Sequence, residues 1–182
     1  LASGPDALQG ALAAGILGCG SVILGAADDA GRLLLTVKEQ LSGRDDVSTA
    51  AARVAGEIRA SRGKLAGFGH PLHRPLDPRA ERILALAHEK GVAGIHCRIA
   101  EALRDAVGEV WGKPLTLNVS MAIAAVLLDL DFPPRMIKAI PLLARTAGLL
   151  GHLAEEQETP IGFLMAAGAE QSISYVAQEQ PR

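Results

Sequence analysis

Apolar residues recur every three or four positions along most of the chain, which is the spacing of amphipathic helices. One clear apolar face lies between Asp46 and Gly63 and carries Val47, Ala50, Ala51, Val54 and Ile58. The same pattern predicts further helices that begin near Pro5 and that cover about residues 22–41, 78–90, 95–110, 119–130, 135–150 and 161–176. Only residues 115–119 indicate a short extended stretch, so the pattern predicts an all-α fold.

Residues that favour helix ends precede or follow several of these segments. The candidate caps are Ser3 or Asp6, Asp45 and Asp46, Asp77, and Asn118 or Ser120, and Ser42-Gly43 is a predicted stop. Pro78 strengthens the start at Asp77 because proline suits the first helical position. Glycines and prolines crowd residues 63–78, and a long loop of this kind often carries function.

Composition supports helices and excludes some functions. Ala (32) and Leu (26) make up about a third of the 182 residues, and both favour helices. Hydrophobic residues form 49% of a chain long enough for one full core, so disorder is not expected. The net charge is only −2 and five scattered aromatic residues cannot form a stacking platform, so we expect no nucleic-acid partner.

The uncharged segment from Ala7 to Ala27 is long enough to cross a bilayer. It contains Gln9 and five glycines and has acidic flanks, so we predict two buried, closely packed helical pieces around Gly18-Cys19-Gly20 and no membrane partner. Cys19 and Cys97 fit neither a disulfide framework nor a cysteine-rich metal site, which favours a cytoplasmic location. The chain begins with Leu1 and not Met, so either a longer protein has been trimmed or its N-terminal part is missing.

The loop from Gly67 to Arg79 is the richest candidate site. Its glycines let backbone groups approach a flat or anionic ligand, and His70 lies where it can move protons near neutral pH. Arg79 falls in the first turn of a helix, where free N–H groups and a guanidinium suit a carboxylate or phosphate. The alternative is a purely structural loop before a capped helix, with Arg79 paired to a carboxylate, and the residues alone leave both interpretations open.

Further polar residues stand in apolar surroundings. Asn118 and Ser120 precede an apolar helix and are explained most simply as caps. Arg145 lies in an apolar helix and requires either a protein carboxylate or an anionic ligand. The remaining histidines that we interpret as packing or helix-end residues are His88, His96 and His152. No pair of residues has metal-ligand spacing, so no metal site is expected.

These motifs together resemble the citrate synthase superfamily. The matching elements are Gly67-Phe68-Gly69-His70-Pro71 with Asp77-Pro78-Arg79, and Asn118-Val119-Ser120 with Arg145-Thr146-Ala147-Gly148. Residues 8–34 are similar to the family's glycine-rich helical opening. The tail Ile173-Ser174-Tyr175-Val176 resembles the chain end of the citryl-CoA lyase branch, which includes a module of ATP-citrate lyase. The similarity spans essentially the whole chain.

The resemblance implies a citrate synthase-like helical subunit of two domains that acts as a homodimer. Residues 1–30 and 126–182 would belong to the large helical domain, and residues 31–125 would form a smaller, mobile domain that carries the His70 and Arg79 loop. Family members condense acetyl-CoA with oxaloacetate, or cleave citryl-CoA into these two compounds. The implied partners are therefore an oxo acid and an acyl-CoA, with the CoA thioester as a substrate and no bound cofactor.

The resemblance also implies roles for individual residues. His70 would hydrogen-bond and protonate the oxaloacetate carbonyl, and Arg79 and Arg145 would bind the oxo-acid carboxylates, which match the guanidinium fork. The backbone of the loop would take the adenine end of CoA, and Arg74 would meet a CoA phosphate. The residues implied in CoA binding are Leu65, Ala66, Gly67, Phe68, Gly69, Pro71, Leu72 and Arg74.

Three departures from the family pattern bear on activity. Ser120 stands where the family has the aspartate that removes the α-proton of acetyl-CoA, and a hydroxyl cannot act as that base unaided. Thr159 stands in Glu158-Thr159-Pro160 where many members have an arginine that reaches the partner subunit's substrate. The family's other catalytic histidine would lie N-terminal to Leu1, and Ile23 does not replace it.

Three functional hypotheses follow. The first is a CoA-dependent carbon–carbon lyase or synthase, with the citryl-CoA lyase type preferred because the chain ends like that branch. The second is a catalytically impaired paralogue that binds CoA or a dicarboxylate in a regulatory or scaffolding role, which Ser120 and Thr159 motivate. The third is a helical interaction module for which His70, Arg79 and Arg145 are dispensable.

Overall fold

The computed structural model describes residues 1–20, 24–41 and 46–174, and eight α-helices dominate these residues. They are α1 (Leu8–Leu17), α2 (Ala26–Glu39), α3 (Val47–Ala60), α4 (Pro78–Glu89), α5 (Ile95–Trp111), α6 (Val119–Asp129), α7 (Ala139–Glu158) and α8 (Gly162–Ser172). A short 3-10 helix, Pro134–Met136, precedes α7. The described ranges contain no strand, so the predicted all-α class is confirmed.

Several sequence-based expectations fall outside the described ranges. They are the stop at Ser42-Gly43, the cap at Asp45, the position of Ile23 and the chain end at Tyr175-Val176.

The helices form two compact units. One unit spans residues 20–141 and contains α2 to α6, and the other combines residues 1–19 with the chain from Leu142 onward. The predicted division into large and small domains at residues 30 and 125 stays a prediction.

The core of the first unit lies around α5 and α6. Helix α5 packs against α3 and α6, and α6 also packs against α2 and α4. Helix α6 is apolar over most of its length because its neighbours bury it. The largest fully buried apolar side chains of this unit include Leu34, Val37, Ile99, Leu103, Leu117, Met121 and Ile137.

Three predicted caps are confirmed. Asp46 accepts a hydrogen bond from the Thr49 amide at 2.7 Å, and Asp77 accepts one from the Arg79 amide at 3.1 Å. Of the two candidates at the start of α6, Asn118 is the cap, because its Oδ1 accepts from the Ser120 amide. Each bond satisfies an amide that has no partner inside its own helix.

The predictions for α1 are partly wrong. Its N-cap is Ala7, which has no capping side chain, so neither Ser3 nor Asp6 caps it. The helix does pack closely on α7, since a Cβ on Gly15 would lie 2.5 Å from Leu149 Cδ2. However, none of its residues is buried, because α1 is apolar on every side and packs closely along only a part of its surface. Within the described residues, no helix combines the length and apolar character that a membrane span requires.

Helix α7 is longer than predicted. The expected end was about Leu150, next to Gly151, but the helix continues for about two turns to Glu158. Both Gly148 and Gly151 keep a helical backbone, so they do not end it. The helix instead ends before Pro160, because a proline disfavours helical backbone in the residue that precedes it.

Candidate functional site

The loop before α4 is fixed to the segment before α6. Phe68 and Leu117 form an isolated antiparallel bridge, and the Gly69 amide donates to the Thr116 carbonyl at 2.7 Å. Asn118 adds two bonds, because its amide donates to the Gly67 carbonyl at 2.9 Å and its Nδ2 donates to the Gly69 carbonyl at 3.0 Å. The two sequence motifs that suggested a site therefore lie side by side.

This contact requires glycine at position 67. Gly67 has φ +79°, in the left-handed region, and a Cβ there would lie 2.6 Å from Met121 Cε and 2.9 Å from Met121 Cβ. A side chain would therefore be strained and would also clash with the buried start of α6. Gly69 also has a positive φ, +85°, although nothing would touch its Cβ.

Thr116 fixes the second half of the loop. Its side chain is buried, and its Oγ1 lies 3.2 Å from the His73 carbonyl and 3.0 Å from the Pro75 carbonyl. The hydroxyl has one hydrogen to donate, and either carbonyl can accept it. Both ends of the His70–Pro75 stretch are thus tied to the segment that leads into α6.

Asp77 is the central polar residue of the site. Its side chain is 0% exposed, and it accepts from Arg79 Nε at 3.0 Å through Oδ1 and from Arg79 Nη2 at 2.8 Å through Oδ2. Oδ2 also accepts from the Val119 amide at 3.0 Å, in the first turn of α6. One buried carboxylate therefore orients the guanidinium and holds the two helix starts together.

The hydrogen bonds keep Asp77 ionised. Burial alone would raise the pKa of this carboxyl, but the hydrogen bonds from Arg79 and from the Val119 amide outweigh it and lower the pKa to about 2. The same pairing raises the pKa of the Arg79 guanidinium above its usual value. The site thus holds a permanent cation whose half-exposed side chain is held by a buried anion.

The hydrogen bonds of His70 determine which nitrogen carries its proton. The amides of Leu72 and His73 point at Nδ1, at 3.1 and 3.0 Å. Because a backbone amide can only donate, Nδ1 must be an acceptor, and we assign the proton of the neutral ring to Nε2. The ring of His73 also packs on the ring of His70, with centroids 4.4 Å apart.

His70 and Arg79 then present two donors to one point. Nε2 of His70 lies 3.1 Å from Arg79 Nη2. In this tautomer both atoms carry hydrogen, so neither can satisfy the other, and an incoming oxygen can accept from both. The pair suits a ligand that carries a polarised carbonyl beside a carboxylate.

Ser120 lies one residue beyond the point where α6 joins this network. It is the second residue of α6, directly after Val119, whose amide donates to Asp77. Its side chain is half-buried. The structure therefore brings His70, Arg79 and Ser120 onto one hydrogen-bonded framework.

Arg145 is the one predicted carboxylate-binding residue that lies outside the unit of His70 and Arg79. It lies on α7 in the other unit and is exposed, so its predicted role at the substrate carboxylate stays a prediction. Among the described residues, no group of three histidines, cysteines or carboxylates is arranged to hold a metal ion.

A cleft of about 430 Å³ opens beside His70. Gly69, His70, Arg74 and Pro75 line one side of it, and residues 113–116 line the other. Arg74 and Lys113 make it a cationic cleft with a glycine backbone at its edge, which suits phosphate groups attached to a flat ring. Of the implied CoA-binding residues, Ala66 and Gly67 are buried, whereas Pro71 and Leu72 are exposed.

Sequence analysis missed four contributors. His73 lies in the loop, but its ring contact with His70 was not foreseen. Thr116 and Lys113 meet the loop only in the folded chain, and the sequence pattern does not show that they approach it. Asp77 was recognised as a cap, but its bond to Val119 links positions 42 residues apart. The signal that could have found Asp77 is its pairing with Arg79 in one Asp-Pro-Arg element.

Comparison with known proteins gives consistent matches. The model of the family "Citrate synthase, C-terminal domain" matches residues 1–162. A putative citrate synthase 2 from Mycobacterium tuberculosis is 32% identical over 97 residues, which is 52% of this chain and 26% of that protein. A citrate synthase from Saccharolobus solfataricus is 31% identical over 100 residues, with the same coverage of 52% and 26%. The chain thus matches about a quarter of the length of these relatives.

The structure also resembles a solved one. The citryl-CoA lyase from Hydrogenobacter thermophilus superimposes with a TM-score of 0.83 at 30% identity. The alignment covers 100% of this chain and 68% of that one.

The role of Asp77 predicts a specific dependence of stability on pH. Its folded-state pKa of about 2 lies below the ordinary value of 3.8, so its stabilisation is complete above that ordinary value and disappears as the pH falls towards 2. We expect Asp77→Asn to lower the free energy of unfolding by about 2 kcal/mol at pH 7. The difference between wild type and variant should shrink between pH 4 and pH 2.

Urea unfolding of both proteins across that range measures the difference directly. Asp46→Asn is the control, since Asp46 also caps a helix with a lowered pKa but is exposed and pairs with no cation among the described residues. A difference for Asp77→Asn that is small at pH 7, or that stays constant down to pH 2, would contradict the role of its charge.

Proposed function

We propose that this chain, which belongs to the citrate synthase family because that family's C-terminal domain model matches residues 1–162, is a CoA-dependent carbon–carbon lyase or synthase. It interconverts citryl-CoA with acetyl-CoA and oxaloacetate. The observation that carries the proposal is the pair of donors at His70 Nε2 and Arg79 Nη2, 3.1 Å apart and held by Asp77. A 2-oxo acid places a ketone oxygen beside a carboxylate and can occupy both donors.

His70 acts on the oxygen that changes its bonding. In condensation the ketone oxygen of oxaloacetate gains negative charge as the new carbon–carbon bond forms, and Nε2–H stabilises that charge and supplies the proton. In cleavage the hydroxyl of citryl-CoA loses its proton, the carbon–carbon bond breaks, and the ketone forms again. The electron pair stays on the acetyl carbon, which then takes a proton.

Arg79 binds the carboxylate next to that oxygen. Asp77 accepts from Nε and from one hydrogen of Nη2. In this proposal Nη1 and the other hydrogen of Nη2, which faces His70, bind the ligand carboxylate. In this proposal Arg145 supplies a second guanidinium to the oxo acid. The proposal assigns no metal to the reaction, because carbonyl polarisation comes from His70 and Arg79.

The CoA thioester binds at the glycine loop in this proposal. Its phosphates lie near Arg74 and Lys113 in the cleft beside His70, and its adenine approaches the backbone of residues 65–72. The positive φ of Gly69 and the open space where its Cβ would lie support close contact between ligand and backbone.

Ser120 motivates a second candidate function. Removal of the acetyl-CoA α-proton requires a base, and a neutral serine hydroxyl is a poor one. A catalytically impaired paralogue that binds CoA or a dicarboxylate in a regulatory or scaffolding role would keep the binding framework and lose turnover. Among active forms we prefer the citryl-CoA lyase type, which the tail at Ile173-Ser174 and the likeness to a citryl-CoA lyase support.

We also propose that the working protein is a cytoplasmic homodimer. Helix α8 exposes Phe163 (69%), Leu164 (71%) and Met165 (66%), and a monomer gains nothing from an apolar surface of this kind. A second copy that covers α8 removes it from water. The free thiols Cys19 and Cys97 accord with a reducing compartment.

Binding of oxaloacetate tests the donor pair. Arg79→Lys keeps the charge beside Asp77 but removes the guanidinium fork, so we expect the Kd for oxaloacetate to rise by about 10- to 100-fold. Isothermal titration calorimetry with and without CoA measures this. Arg82→Lys, one turn further along α4 and paired with Glu89, is the matched control. Equal affinity of wild type and Arg79→Lys would refute the assigned site, and would favour a module in which these residues are dispensable.

Turnover tests the effect of Ser120. We expect Ser120→Asp to raise the rate of oxaloacetate release from citryl-CoA by about 10²- to 10⁴-fold, because it restores a carboxylate. Ser120→Asn, of similar shape but without a base, should leave the rate unchanged. An ordinary turnover rate in the wild type would end the paralogue hypothesis, and a rate that neither variant changes would exclude Ser120 as the limiting residue.

Light scattering tests the dimer. We expect a mass of about twice 18.9 kDa for the wild type, and Phe163→Glu should shift it towards the monomer, because a charge in an apolar interface is costly. Gln171→Glu adds the same charge to α8 at an exposed polar position and should leave the dimer intact. A monomeric wild type would disprove the proposal.

A further inference from the structure

A second polar chain lies outside the proposed active site and joins α2, α5 and α6. Lys38 Nζ lies 3.4 Å from His96 Nε2, and His96 Nδ1 lies 2.8 Å from Asp129 Oδ1. His96 and Asp129 are buried, with side chains 6% and 1% exposed, whereas Lys38 is exposed. An accessible amine is therefore connected to a buried carboxylate through one imidazole.

Asp129 is ionised and fixed in place. It ends α6 and accepts from the amides of Gly94, His96 and Cys97 at 2.7, 2.9 and 2.9 Å, so it caps the start of α5. Burial raises the pKa of this carboxyl, but hydrogen bonds from the Cys97 thiol and these amides outweigh it and lower the pKa. A Cβ on Gly94 would lie 2.7 Å from Asp129 Oδ1, so glycine is required there.

The carboxylate sets the tautomer of His96. An ionised carboxylate can only accept, so Nδ1 carries the hydrogen and Nε2 presents a lone pair. That lone pair faces Lys38 Nζ. Burial and the neighbouring Asp129 carboxylate raise the pKa of the Cys97 thiol to about 12, so this thiol stays neutral and does not compete.

We propose that Lys38 is a self-acylation site that reacts with acyl thioesters such as acetyl-CoA without a second enzyme. An ammonium group cannot attack a thioester, but His96 Nε2 can take one proton from Lys38, and Asp129 then stabilises the imidazolium. The neutral amine attacks the thioester carbonyl, the carbon–nitrogen bond forms, and the carbon–sulfur bond breaks. As the tetrahedral intermediate collapses, the nitrogen gives its second proton to the departing thiolate, which leaves as the thiol. The imidazolium of His96 then releases the first proton to water and returns to its neutral state.

The other four lysines provide an internal comparison. They are Lys64, Lys90, Lys113 and Lys138. Lys64 donates to Asp29 in an ion pair at 2.8 Å, so a carboxylate and not an imidazole faces its amine. Lys90 is exposed at the end of α4, as Lys38 is in the last turn of α2, so it is the matched reference for accessibility. None of these four side chains is hydrogen-bonded to a histidine within the described residues.

The test measures acylation of each lysine in the full chain by peptide mass spectrometry at pH 8. Isotopically labelled acetyl-CoA is one donor, and S-acetyl-N-acetylcysteamine, which lacks the nucleotide, is the other. We expect Lys38 to react about tenfold faster than Lys90 with both donors, and this ratio should fall to about one in urea, where His96 no longer faces Lys38. Because the small donor needs no CoA site, failure of the proposed function does not affect this result.

His96→Gln separates base catalysis from hydrogen bonding. Glutamine can still donate to Asp129 and accept from Lys38, but it cannot take a proton, so the rate at Lys38 should fall to that of Lys90. A rate at Lys38 equal to that of Lys90 in the folded wild type would overturn the proposal, and so would an excess at Lys38 that survives in His96→Gln. If the variant does not fold, the ratio between folded and urea-unfolded wild type decides.

Discussion

A single buried carboxylate determines the geometry of the candidate active site. Asp77 has no exposed surface, and it accepts from Arg79 and from the Val119 amide, which lies more than forty positions away in the sequence. Removing a carboxylate from water is costly, and only the full set of bonds compensates for it. The loop, the guanidinium and the start of α6 therefore have one low-energy arrangement. The positions of His70 and Ser120 follow from it, because both are attached to this frame by short stretches of backbone.

A second buried carboxylate joins the ends of two helices in the same way. Asp129, the last residue of α6, accepts hydrogen bonds from three amides at the start of α5. Asp77, the N-cap of α4, likewise accepts a hydrogen bond from an amide of α6. In both cases a helix terminus with unpaired amides is satisfied by a carboxylate, and in both cases the bond joins distant segments. Small residues make this close approach possible: Gly94 faces Asp129, and Gly67 faces the start of α6. Helix termini thus fix the relative positions of the helices, and the apolar core fills the space between them.

The features that sequence predicted are those that depend on neighbouring residues. Asp46, Asp77 and Asn118 cap the helices that follow them directly, so local pattern was sufficient to find them. The pairing of Arg79 with a carboxylate was among the sequence-based alternatives for the same reason, whereas the anion site at Arg79 stays a prediction. The bridges from Thr116 and Asn118 to the loop were not predicted, because they depend on which segments meet in space. The exposure of α1 was also missed, since an apolar pattern does not show what covers a helix.

In the proposed function, ligand binding and proton removal depend on different parts of the site. The two amides on His70 Nδ1 and the carboxylate behind Arg79 fix a pair of donors, and neither arrangement involves the Ser120 side chain. The two donors lie 3.1 Å apart and cannot satisfy each other, so one oxygen can accept from both. In that proposal, a serine in place of a base at position 120 removes a proton acceptor without loosening the two donors that are proposed to bind a carbonyl and a carboxylate. A chain with this change can keep ligand affinity under selection while its chemistry diverges, which is why affinity and turnover must be measured separately here.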